Sequence, residues 1–100
     1  MKKEQIIASA RIFAKLRTVL DKRSDADLQK AAIFPLKMMV IYNKEAAERH
    51  VLTQETQDYL AKEYSVLDLD DYLAEVDKPL SLEDQGIWQL AYYRALHEMK

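Results

Sequence analysis

Pro79-Leu80-Ser81-Leu82-Glu83-Asp84-Gln85-Gly86-Ile87-Trp88-Gln89-Leu90-Ala91-Tyr92-Tyr93-Arg94-Ala95-Leu96-His97-Glu98 decides the fold of this chain. Ser81, followed three residues later by Asp84, reads as a capping box that opens a helix. The serine oxygen accepts a backbone N–H that has no partner inside the first turn. Glu83 and Asp84 then lie at the positive end of the helix dipole. Pro79, just ahead of the cap, ends the preceding element. The helix that follows is apolar nearly all round, with Leu82, Ile87, Trp88, Leu90, Tyr92, Tyr93 and Leu96 spread over its faces. A helix without a wide polar face is buried on several sides or docks on a partner. Gly86, the one glycine in the chain, costs about 1 kcal/mol relative to alanine inside a helix. A close backbone approach beside Trp88 is the expected reason for it.

The rest of the chain has the same character. One glycine and two prolines leave no turn chemistry for hairpins, and apolar residues recur at helical spacing. Helix one is expected from about Lys3 to Lys22, with Ile6, Ala10, Phe13 and Leu20 on its core stripe and Ile7, Ala14 and Leu16 broadening it. Ser24 with Asp27 is a second cap and opens a short helix through Ala32. Pro35 forces a break at Ile33–Phe34 and suits the first turn of a third helix, about Pro35 to Arg49, which turns Leu36, Met39, Val40 and Ala47 inward. Thr53 caps a fourth, Gln54 to Tyr64, packing Tyr59, Leu60 and Tyr64. A fifth runs from Leu69 to Val76. The fold class is therefore all-α: a compact bundle of about five to six short helices forming one domain over residues 1–100.

One hundred residues with 49% hydrophobic content can build a core without covalent staples. No cysteine is present, which excludes disulfides, thiolate metal sites and thiol nucleophiles, and fits a cytoplasmic location. The N-terminal Met-Lys-Lys-Glu-Gln-Ile-Ile-Ala has too short an apolar core, soon broken by Arg11, for a signal peptide. No run is long enough to span a membrane. The net charge of −2 conceals a division. Residues 1–50 hold eleven Lys/Arg against six Asp/Glu, and residues 51–100 hold four against eleven. Either the two halves attract each other inside the fold, or the molecule offers a basic surface to phosphates and an acidic one to a basic protein, or it stacks head to tail with copies of itself.

No catalytic constellation is expected. His50 and His97 are far apart in sequence and lack partners at ligand spacing. Asp68-Leu69-Asp70-Asp71 has neither the glycine nor the closing glutamate of a calcium loop and reads as acids at a helix N-terminus. There is no nucleophile elbow and no glycine-rich phosphate loop. No cofactor or metal is implied, and the chain is not expected to be an enzyme. The basic residues form the candidate nucleic-acid surface. Arg11, Lys15 and Lys22 share a face of helix one with Thr18 between them, while Lys30, Lys37 and Lys44 recur every seven residues. A lysine ridge without interleaved acids suits a sugar-phosphate backbone; it is also what an ordinary solvated face carries. Tyr59, Tyr64, Tyr72 and Tyr93 fall on apolar stripes and are expected in the core rather than stacking on bases. Candidate protein contacts are the acids Asp68, Asp70 and Asp71, and a patch formed by Trp88 and Tyr92, four apart on the last helix.

Leu80-Ser81-Leu82-Glu83-Asp84-Gln85-Gly86, followed by Trp88 and by Leu90-Ala91-Tyr92-Tyr93, resembles the closing segment of the large subunit of the type I-C CRISPR surveillance complex (Cascade). That segment has the pattern L-S-L-E-E-Q-G, an aromatic, then L-G-Y-Y. Ala91 stands where the family has glycine, and Arg94-Ala95 where it tends to have His-Gln. Upstream, Ala10-Arg11-Ile12-Phe13-Ala14-Lys15-Leu16 is similar to the family's first domain helix, and Ala32-Ile33-Phe34-Pro35-Leu36 to its F-P-L element. The helical domain these segments belong to is also made separately, as the small subunit. The resemblance implies a non-catalytic inner-belly subunit, present in multiple copies. It would contact other Cascade subunits and support the crRNA–target DNA hybrid or single-stranded DNA through backbone contacts, with cleavage left to a separate nuclease. A reading of another class remains beside it: a small helical immunity, inhibitor or adaptor protein whose target is a protein.

Overall fold

Ser24, Thr53 and Ser81 each accept a hydrogen bond from the backbone N–H three residues on, at 3.2, 3.2 and 3.1 Å, and so set where three of the helices begin. The computed structural model describes residues 1–67 and 74–99. Among them are five helices and no strand: α1 Lys3–Leu20, α2 Asp25–Ile33, α3 Pro35–Glu48, α4 Gln54–Tyr64 and α5 Leu82–Glu98. Phe34 closes α2 and opens α3, because Pro35 at the first helical position has no N–H to continue the ladder. The radius of gyration, 12.4 Å, is that of a compact domain of this length.

α1 is the axis of the bundle. It packs against α5 most extensively and against α3 and α4 on its other sides. Ile6, Ala10, Ile12, Phe13, Ala14, Leu16 and Leu20 are all buried, so three sides of α1 face apolar neighbours. Small residues at Ala10 and Ala14 let the adjacent helices approach. An aromatic cluster fills the centre. Phe13 stacks on Tyr42 at 4.7 Å between ring centroids, Trp88 stacks on Tyr92 at 5.4 Å, and Phe13 meets Trp88 at 5.7 Å. Such pairs add about 0.5–1.5 kcal/mol each beyond the area they bury. Before α5, Leu80 is buried and donates its N–H to the Ile33 carbonyl at 2.8 Å, tying the start of α5 to the end of α2.

Several details differ from the sequence reading. α1 stops at Leu20 rather than Lys22, because Asp21 adopts a left-handed backbone (φ 53°) and closes the helix. In α3 the core positions are Leu36, Met38, Met39, Tyr42 and Ala46, whereas Val40 is exposed and Ala47 lies on the surface. The buried face is rotated because α3 packs against both α1 and α2. α5 is not buried on several sides: Trp88, Tyr92 and Ala95 form its single buried stripe, and Tyr93 is exposed. Among the described residues, no atom outside its own neighbourhood lies within 4 Å of a Cβ built on Gly86, so no close approach among them explains the glycine. The expected fifth helix, Leu69 to Val76, falls mostly outside the described residues, as do Tyr72 and the acids Asp68, Asp70 and Asp71.

Candidate interaction surfaces

Helix packing distributes acids onto the candidate nucleic-acid residues. Arg11, half-buried on α1, donates from Nε to Glu63 Oε1 at 2.9 Å, and its Nη1 lies 3.6 Å from Glu98 Oε2. Burial pushes its guanidinium pKa down, but Tyr59, Glu63 and Glu98 together carry it above the ordinary value. Lys15 places its ammonium 5.4 Å from the Tyr59 ring centroid. Lys22 lies in the turn after α1, not on its face. Its Nζ is 2.7 Å from Glu45 Oε1 and 5.0 Å from the Tyr42 ring centroid. Hydrogen bonding from Lys22, with help from Arg49, holds the Glu45 carboxyl below its usual range. Lys37 pairs with Asp77 at 3.7 Å. Lys30 and Lys44 are exposed on α2 and α3, with no ion pair among the described residues. The ridge without interleaved acids is thus corrected: acids from α3, α4, α5 and the segment before α5 reach three of its six members, Arg11, Lys22 and Lys37, and elements remote in sequence supply them.

The proposed aromatic patch is also corrected. Trp88 is 0% and Tyr92 2% exposed, so neither is available to a partner on this surface. Their spacing of four puts both on the stripe that faces α1. The Trp88 indole Nε1 is buried without a hydrogen-bond partner among the described residues, which marks the ring as a packing group rather than a polar anchor.

Two features were not singled out in the sequence. Arg17 is buried, with its guanidinium carbon 6.0 Å from the Phe13 ring centroid and 5.8 Å from that of Tyr92, and Nη1 donating to the Ser24 carbonyl at 3.0 Å. Its position four residues after Phe13 was the available signal. The second is the outward face of α5, opposite the Trp88–Tyr92–Ala95 stripe. Leu82 is 86%, Leu90 54% and Tyr93 57% exposed there, with exposed Gly86 between them. Beside this face, a groove of about 320 Å³ runs between α1 and α5, floored by Ile7, Ile87 and Ala91 and rimmed by Lys3, Arg11, Arg94 and Glu98. A further groove of about 720 Å³ between α3 and α4 is lined by Met39, Val40, Ala61 and Leu67, with Asn43 and Ser65 among its polar groups.

Among the described residues, no group of three or more acids and histidines converges as a metal site. His50 takes a left-handed backbone (φ 56°) at the end of α3, a local role set by chain geometry. No helix among these residues is long and apolar enough to cross a membrane. No family model, curated protein or solved structure matches the chain.

Proposed function

We propose that this protein is a non-catalytic subunit of a larger assembly, working through the outward face of α5. The specific form of this reading is the small subunit of a type I CRISPR surveillance complex, as the resemblance implies. The observation that carries it is where the resembling residues lie. Leu80, Trp88 and Tyr92 of the closing pattern are in the core, whereas Leu82, Glu83, Gly86, Leu90 and Tyr93 of the same pattern are exposed. The helix glycine costs about 1 kcal/mol relative to alanine, and the exposed apolar stripe beside it is accounted for by a contact outside the monomer. In the CRISPR form, Lys15, Lys30 and Lys44 supply backbone contacts to a nucleic-acid strand, since they are the candidate cations without ion pairs among the described residues.

One observation favours the adaptor reading instead. Arg11, Lys22 and Lys37 already have carboxylate partners, which reduces the charge left for phosphates. Affinity purification of the tagged full chain from its native cells separates the two. The CRISPR reading expects the wild type to travel with other protein subunits and crRNA, and Leu90→Glu to lose them. A stable protein partner without RNA supports the adaptor form, and partners retained by Leu90→Glu remove α5 as the docking element.

A further inference from the structure

The outward face of α5 is complementary to itself when turned end for end. At 100° per residue, Glu83 and Arg94 differ by about 20° around the helix and are separated by about 16 Å along it. They therefore sit on the same flank of the exposed stripe, an acid at one end and a base at the other. Both are exposed, and neither has an ion pair among the described residues. Gly86 and Leu90 lie one turn apart between them.

We infer that α5 pairs with α5 of a second copy, antiparallel, about a two-fold axis level with Trp88. A two-fold of this kind brings the same flank of each helix together with its direction reversed. Glu83 of one copy then faces Arg94 of the other, twice over. The same operation seats Leu90 of each copy over Gly86 of its partner, where the missing Cβ leaves room for the leucine. Leu82 meets Tyr93 at both ends. The glycine that nothing among the described residues requires becomes a notch for the facing side chain. A single helix face of 17 residues gives a contact at the low end of specific interfaces, below about 1,200 Å². The pairing is accordingly micromolar to submillimolar in the isolated chain, and within an assembly the neighbours raise its effective concentration.

This inference rests on α5 being the docking face proposed above, but its test does not use the native complex. Sedimentation equilibrium of the purified full chain from 10 µM to 1 mM measures the association directly. The wild type should dimerise over that range. Gly86→Leu, with a strong helix former filling the notch, should weaken the dimer at least tenfold while the melting temperature at low concentration stays level or rises. Glu83→Arg and Arg94→Glu should each weaken it about five- to tenfold, and the double variant should recover to within about threefold of the wild type. A dimer indifferent to Gly86→Leu, or a double variant no better than the singles, overturns the antiparallel register. A wild type monomeric at 1 mM overturns self-pairing.

Discussion

Tyr42 concentrates several forces on one side chain. Its ring stacks on Phe13, Lys22 lies over its other side, and its hydroxyl donates to Asp27 Oδ2 at 2.6 Å. Burial first, and then the Asp27 hydrogen bond and charge, push the phenol pKa well above its ordinary value near 10. Burial also raises Tyr59 and Tyr92. The folded state thus keeps protons that the unfolded chain releases above about pH 10. The stabilisation is complete below that pH and is lost as pH climbs beyond it. Each tyrosine contributes at most about 1.4 kcal/mol per pH unit, the ceiling for one proton. Urea melts between pH 9 and 11.5 should show falling stability, and Tyr42→Phe should flatten the fall. Absorbance at 295 nm checks the cause: Tyr42 ionising in the folded protein at the pH of a free tyrosine would rule it out. Tyr42 was not among the residues the sequence placed in the core. The helical stripe through α3 could be drawn with Val40 or with Tyr42 inward, and only the positions of α1 and α2 choose between them.

At the scale of the helix, the starts and the stops have different physics. Starts depend on a serine or threonine and on three backbone atoms beside it, so Ser24, Thr53 and Ser81 were readable from the sequence as caps. Stops here depend on backbone handedness without the usual residue. After α1, Lys22 N–H bonds to Arg17 O at 3.1 Å and Asp21 N–H to Thr18 O at 3.2 Å. After α3, Val51 N–H bonds to Ala46 O and His50 N–H to Ala47 O, each at 3.2 Å. Both are Schellman closures, and glycine is the residue that suits their left-handed position. Asp21 and His50 occupy it, which is why α1 read two residues too long. His50→Gly should stabilise the protein by about 0.5–1 kcal/mol: it removes Cβ strain and concedes part of the gain to the looser unfolded chain. Thermal melts check this. A lower melting temperature would mean the imidazole makes a contact that outweighs the strain. The same logic runs in reverse at Gly86, where a glycine sits in mid-helix with ordinary backbone and open space around it.

Across the whole molecule, the division of charge along the sequence is closed within the fold. Arg11 reaches Glu63 and Glu98, Lys37 reaches Asp77, and the N-terminal ammonium lies 3.6 Å from Glu75, each joining the basic half to the acidic half. Composition displayed the two halves but not their contact, because the contacts are made where α4 and α5 pack on α1 and where residues 75–77 meet the N-terminus and α3. Lys37–Asp77 and Arg11–Glu98 have exposed partners and contribute little each, whereas Arg11–Glu63 is shielded, with the glutamate side chain only 12% exposed. Glu63→Arg should therefore destabilise by about 1–2 kcal/mol, the range for a hydrogen bond to a charged group after allowance for partial exposure. In a domain of this size that lowers the melting temperature by roughly 4–16 °C. Arg11→Glu should do the same. The exchange of both, Arg11→Glu with Glu63→Arg, should recover most of the loss, because the attraction survives the reversal while Glu98 adds a smaller repulsion. Melts of the wild type, Arg11→Glu, Glu63→Arg and the exchanged pair, at low and high salt, close the double-mutant cycle. A swapped variant as unstable as the sum of its parts would show that the apolar core alone joins the halves, and would return Arg11 to the pool of cations free to meet phosphate.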